Sequence, residues 1–222
     1  MHILEHGQGQ EKTLLFLPCT AEPVWAFEKT VARLAQSWHV FQIVYDGHEP
    51  SYPGDFTSVE QTVDEITDYL RAQGVTCLDA AYGCSLGGSF VGLLAASGNI
   101  RMDYGILGSS DLDQSSKFAA KLQTDLLLPL MFPMLRDGRF KSPLLQKRVE
   151  KQMRQMGDYG AAFLRILGGA RPYLTQQSCK NQFYSDLITP LPDKLDVPGT
   201  EIHIFYALKM GEKYRAPPSI RR

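Results

Sequence analysis

Cys77-Leu78-Asp79-Ala80-Ala81-Tyr82-Gly83-Cys84-Ser85-Leu86-Gly87-Gly88-Ser89-Phe90-Val91-Gly92-Leu93-Leu94-Ala95-Ala96 is the stretch on which the fold turns. Residues 77–82 read as a short strand and residues 88–96 as a helix with small residues toward a sheet. Between them, Gly83-Cys84-Ser85-Leu86-Gly87 has the spacing G-x-S-x-G, in which a serine occupies a sharp strand-to-helix turn. The glycines have a steric job. Two residues either side of the serine, a side chain would collide with neighbouring backbone, and the strained serine is lifted above the sheet edge. Strand, turn and helix arrive in the order this geometry requires.

Outward from the turn, the first half of the chain alternates strand and helix. Residues 12–17 are an apolar run ending at Pro18, as in a strand buried on both faces. Residues 23–36 carry Val24, Phe27, Val31 and Leu34 at helical spacing, with Pro23 where a first-turn proline is tolerated. Residues 39–45 form another strand, stopped by Asp46-Gly47. Residues 57–71 place Val59, Val63, Ile66 and Leu70 on one helical face, with Gly74 beyond the end. Residues 103–108 are a further strand. Such alternation predicts an α/β fold, a mainly parallel sheet with helices on both faces. Residues 111–185 break the rhythm. They read as helical, punctuated by Pro129, Pro133, Asp137-Gly138 and Gly168-Gly169, without a strand. A proline-rich loop over 190–198 leads to a strand over 201–207.

Bulk properties exclude several function classes. The chain has 222 residues, 44% hydrophobic and 21% charged, which suits one soluble domain with an insertion. A formal net charge of -1 gives no basic footprint for nucleic acid or an anionic membrane. No apolar run approaches the roughly 20 residues of a membrane helix, and Met1 to His6 lacks the pattern of a secretory signal. The four cysteines, Cys19, Cys77, Cys84 and Cys179, have no C-x-x-C or zinc spacing. Reduced, mostly buried thiols in a cytoplasmic protein are expected, with no metal and no cofactor.

With these residues in place the chain resembles the α/β-hydrolase family, from about residue 12 to about residue 214, with Gly83 to Gly87 as its nucleophile elbow. The resemblance implies Ser85 as nucleophile and the backbone N–H of Leu86 as one oxyanion donor. The second donor comes from Pro18-Cys19-Thr20, with Thr20 preferred. Asp46-Gly47-His48 resembles a pocket-shaping turn of the family. The helical stretch resembles its cap, so residues 1–110 and 186–222 are expected to form the core and residues 111–185 the insertion. Such a cap would bring Leu127, Leu128, Met131, Phe132 and Met134 near Ser85 as an apolar pocket for an acyl or hydrocarbon group. The family order of serine, acid, histidine makes Glu212 the default acid, with Asp111 and Asp113 as alternatives.

No histidine follows Glu212. The tail from Ala216 to Arg222 has neither a strand nor a helix pattern, so the family's last strand, last helix and catalytic histidine are expected to be missing. His203 lies in a strand, His39 enters its strand at the wrong end, and His2 and His6 are near the start. His48 alone is in a loop on the catalytic edge. A serine hydroxyl is a poor nucleophile unless a neighbour takes its proton. The resemblance therefore implies a serine hydrolase of a small carboxylic ester or thioester, weak or inactive as the chain stands. The alternative is a non-catalytic relative that binds a small apolar molecule. The expected partner is a small-molecule substrate with an acyl or apolar group, with self-association through an exposed edge at residues 201–207.

Overall fold

The computed structural model describes residues 1–110, 112, 114–168, 173–192 and 194–205. Its sheet has six strands: β1 (His2–His6), β2 (Thr13–Leu17), β3 (His39–Val44), β4 (Cys77–Cys84), β5 (Arg101–Gly108) and β6 (Glu201–Phe205), in the order β1-β3-β2-β4-β5-β6. All neighbours are parallel except β1 and β3. The helices are α1 (Glu28–Leu34), α2 (Val59–Ala72), α3 (Leu86–Ser97), α4 (Lys117–Asp137), α5 (Pro143–Gln155), α6 (Gly157–Leu167) and α7 (Gln176–Ile188). A short 3-10 helix, Val24–Phe27, precedes α1. Among the described residues no helix is long and apolar enough to cross a membrane.

Alternation along the central strands divides the core. Leu15, Leu17, Phe41, Ile43 and Tyr45 point to one face, where α2 supplies Val59, Val63, Ile66 and Leu70 and α3 supplies Phe90, Val91 and Leu94. Leu14, Phe16, Val40 and Ala80 point to the other, against Val31, Phe27 and Leu34. A strand buried on both faces needs apolar residues at consecutive positions, which is why residues 14–17 are a continuous run. The chain passes from β2 through α1 to β3 on one side of the sheet, then through α2 to β4 on the other. The order therefore reverses between β2 and β4. Such a switch point leaves a crevice at the carboxyl ends of the strands, where α/β proteins bind ligands.

Several boundaries differ from the expectations. The strand β1 was not anticipated: it pairs antiparallel with β3, so that Ile3 faces Ile43 and Leu4 faces Gln42. The helix expected over 23–36 is a 3-10 turn followed by a seven-residue α1, because Phe27, at φ -106 and ψ 2, leaves helical geometry between them. The prolines at 129 and 133 do not interrupt α4, which runs through both for 21 residues. Each proline removes one backbone donor and crowds the preceding turn. Packing of Leu128 and Phe132 with Ala21, Leu174 and Cys179 offsets that cost. The opposite side of α4 carries Phe118, Leu122, Leu126 and Leu130 in exposed positions four residues apart.

Helix α7 crosses the boundary expected at 185/186 and is bolted to the core. Ser178 Oγ accepts the Phe56 N–H at 3.0 Å and Ser185 Oγ the Val59 N–H at 2.7 Å, while Asn181 Nδ2 donates to the Phe56 carbonyl at 2.7 Å. The Ser185 bond satisfies a donor in the first turn of α2 that the helix itself leaves open, and the other two fix the segment that leads into it. On α6, the Arg165 guanidinium lies 4.6 Å from the centre of the Trp25 ring, tying that helix to the 3-10 turn.

Candidate active site

β4 ends at Cys84 and α3 begins at Leu86, so Ser85 alone forms the turn, at φ 51 and ψ -117. Its side chain is exposed. The Ser85 N–H donates to the Gly108 carbonyl at 2.7 Å and the Gly88 N–H donates to the Ser85 carbonyl at 2.9 Å, which fixes the turn from both sides. Neither glycine of the turn leaves room for a side chain. A Cβ on Gly83 would lie 2.0 Å from the Gly87 carbonyl oxygen, and one on Gly87 would lie 2.4 Å from the Leu17 carbonyl oxygen. The second approach also brings the start of α3 against the loop after β2.

That loop is held by His48 and by two side chains the sequence did not single out, Glu22 and Tyr45. The Cys19 N–H donates to Glu22 Oε2 at 2.9 Å, the Ala21 N–H donates to His48 Nε2 at 3.2 Å, and the Tyr45 hydroxyl donates to the Pro18 carbonyl at 3.0 Å. Burial raises the Glu22 carboxyl above its ordinary range, opposed by the Cys19 hydrogen bonds. Between the two engaged donors, the Thr20 N–H has no acceptor among the described residues, and neither has the Leu86 N–H in the first turn of α3. Backbone strain gathers at this edge. Among the described residues, the non-glycine residues with positive φ are Ala21, Ser85, Ser109 and Leu112, which follow the carboxyl ends of β2, β4 and β5. Such residues cost about 1–3 kcal/mol each and concentrate at functional sites.

His48 is built into the wall. It is 1% exposed. A backbone N–H can only donate, so the Ala21 contact requires an unprotonated Nε2, and Nδ1–H donates to the Asp46 carbonyl at 3.1 Å. Gln182 Nε2 lies 3.3 Å from the same Nε2. Burial pushes the imidazole down to about 4. Both ring nitrogens are thus committed. The other histidines are engaged elsewhere: His2 with Asp46, His6 with Gln42, His39 with Glu5 and His203 with Glu201. None is hydrogen-bonded to Ser85. His39 is half-buried against the Glu5 carboxylate at 2.7 Å, not turned to solvent. Glu212, Asp111 and Asp113 lie outside the described residues.

The apolar residues expected around the serine are distributed differently. Phe132 packs with Ala21, one residue from Thr20, and so reaches the loop beside the elbow. Leu127 and Met131 instead line a cavity of about 80 Å³ between α4 and α7, with Leu128, Phe183 and Leu187. Neither Phe132 nor Ser85 lines that cavity. The cause is helical phase: Phe132 and Leu128 share the inward face of α4, and Leu127 and Met131 sit one residue round from it.

No family model matches the chain, and no curated protein matches it in sequence. Solved structures do. A protein of the alpha/beta hydrolase family from Desulfitobacterium hafniense aligns with a TM-score of 0.69 at 14% identity, covering 91% of this chain and 78% of its own. A marine microorganism esterase aligns at 0.61 and 13% identity, covering 92% and 90%. The enol-lactonase of Burkholderia xenovorans aligns at 0.52 and 14% identity, covering 92% and 87%. At these identities the likeness concerns the path of the backbone. Together with the elbow at the switch point of a mostly parallel six-stranded sheet, it establishes that this chain has the α/β-hydrolase fold.

Proposed function

We propose that the chain is a serine hydrolase of small carboxylic esters or thioesters that works through an acyl-enzyme on Ser85 and turns over slowly. The observation that carries this reading is the strained, exposed Ser85 at the carboxyl edge, beside two backbone donors without acceptors. In the proposed reaction the Ser85 hydroxyl attacks the carbonyl carbon. Negative charge gathers on the carbonyl oxygen and is met by the N–H groups of Leu86 and Thr20, the former at the positive end of α3. The relatives named as hydrolases and esterases support the general chemistry.

Slow turnover follows from the histidines. In a serine hydrolase, loss of the histidine costs about a millionfold in kcat, and the residual catalysis, about 10³–10⁴ over water, comes from the oxyanion hole and binding. Here the one histidine near the site keeps its Nε2 lone pair on Ala21. Water must then take the proton, which favours substrates with good leaving groups. The same observation favours a second reading, in which the chain binds a small apolar molecule without cleaving it.

A fluorophosphonate separates the two. Stoichiometric labelling at Ser85, abolished in Ser85→Ala, with slow but Ser85-dependent hydrolysis of an activated ester, is the expected result. No labelling at millimolar reagent would leave binding without chemistry and overturn the hydrolase reading.

A further inference from the structure

We propose that the cleft between β1, the 3-10 turn and the loop after β3 binds a small organic ammonium ion that carries a hydroxyl or carbonyl oxygen. The cleft encloses about 520 Å³, within the range of small-molecule sites. Three segments build it. β1 contributes His6, the 3-10 turn and α1 contribute Trp25 and Glu28, and β3 with its following loop contributes Gln42, Glu49 and Tyr52. None of the lining residues belongs to the elbow or to the loop after β2, so the site stands apart from the chemistry proposed for Ser85.

The lining is acidic and has no fixed cation to balance it. Glu28 is exposed, and its carboxylate has no hydrogen bond or ion pair among the described residues. Glu49 is half-buried. Its Oε1 accepts the Val24 N–H at 3.0 Å, and its Oε2 has no partner among the described residues. No lysine or arginine lines the cleft. Two carboxylates that share a pocket without a compensating charge favour a positively charged guest. Trp25 and Tyr52 add aromatic walls, and the negative face of such a ring attracts an ammonium group within about 6 Å. Arg165 already shows the Trp25 ring in that use, at 4.6 Å, while lying outside the lining of the cleft.

The floor of the cleft asks for an oxygen. Gln42, within β3, is 2% exposed. Its Oε1 accepts from His6 Nε2 at 3.1 Å, and its Nε2 has no acceptor among the described residues. A buried donor needs an acceptor, and only a group that enters the cleft, water or a guest oxygen, can supply one here. Leu4 and Val31 line the same cleft and suit a short methylene chain between that oxygen and the ammonium group. The walls are set in advance. The Tyr52 ring stacks on the His2 ring with centres 3.9 Å apart, and the Tyr52 N–H donates to the Glu49 carbonyl at 3.0 Å. The Glu49 carboxylate in turn holds the start of the 3-10 turn that carries Trp25. Little ordering is left for the guest to impose, which favours binding.

The experiment is an NMR titration of the full chain with aminopentanol at neutral pH, read at the indole N–H of Trp25. Trp38, which does not line the cleft, serves as the internal control. Pentanediol supplies the neutral comparison and pentylamine the one without an oxygen, which tests Gln42 without altering a buried residue. Aminopentanol should bind saturably with a Kd on the order of 1 mM. Pentanediol should bind about tenfold more weakly, and pentylamine about threefold more weakly. Glu28→Gln and Glu49→Gln should each weaken aminopentanol by about threefold and leave pentanediol unmoved, and added salt should weaken aminopentanol alone. Glu28 is exposed, so its variant keeps the fold. No saturable binding, equal affinity for aminopentanol and either comparison compound, or unchanged aminopentanol binding in both glutamine variants would each overturn the proposal. Ser85→Ala should bind as the wild type does, so failure of the hydrolase reading leaves this result intact.

Discussion

Acidification should loosen the chain at His48, and the size of the effect follows from its surroundings. The ring is fully enclosed, with Nε2 held as an acceptor for Ala21 and Gln182, so the folded protein keeps it neutral down to about pH 4. In the unfolded chain the same ring takes a proton near its ordinary value of about 6.5. Between these values the unfolded state binds more protons than the folded state. Stability therefore rises with pH through the window, is complete above about 6.5 and is lost as pH falls toward 4. Each pH unit is worth about 1.4 kcal/mol, so the window carries about 3 kcal/mol. That is a large part of the roughly 5–15 kcal/mol of an ordinary domain. Urea unfolding at several pH values between about 7 and 4.5 measures it, beside His48→Gln, which cannot titrate. The wild type should lose about 3 kcal/mol more than the variant across the range, although the variant starts less stable because it disturbs the Ala21 bond. Parallel pH profiles, or a His48 ring that titrates near 6.5 by NMR in the folded protein, would refute the reasoning.

The other predictions concern the elbow and the sheet edge. Gly87→Ala places a methyl 2.4 Å from the Leu17 carbonyl oxygen, backbone against backbone, and should destabilise the fold by about 3 kcal/mol or leave it insoluble, as read by the urea midpoint. Ser85→Gly removes the strain of φ 51 and should raise stability by about 1 kcal/mol, whereas Ser85→Ala should leave it nearly unchanged; equal midpoints for the two variants would argue against stored strain. β6 is hydrogen-bonded to β5 alone among the described strands, and Phe205 is 61% exposed, so Phe205→Lys should reduce concentration-dependent association in sedimentation experiments.

Much of the fold was legible because the relevant signals are local. The run at residues 14–17, the helical stripe of Val59, Val63, Ile66 and Leu70, and the G-x-S-x-G turn each record a burial pattern within one element. β1 was not legible. An edge strand with one neighbour needs little apolar surface, and His2, Glu5 and His6 gave no continuous run to read. The prolines of α4 misled because a helix-breaking propensity is local, whereas the packing of Leu128 and Phe132 that overrides it comes from distant residues.

The sequence alone determined the order of strands and helices after β1, the single-residue turn at Ser85 and the absence of any histidine after residue 203, since these are properties of the chain's linear pattern. Tertiary structure decided the rest of the site. It left Thr20 as the donor without an acceptor between two that are engaged, and turned Phe132 toward Ala21 while leaving Leu127 and Met131 in another cavity. It also committed His48 to a structural role, with its lone pair spent on the Ala21 N–H and its ring closed off by α7. The physical reason is common to all three. A side chain's chemistry depends on partners, burial and direction, and here these come from residues tens to more than a hundred positions away, which meet only when the sheet order reverses between β2 and β4.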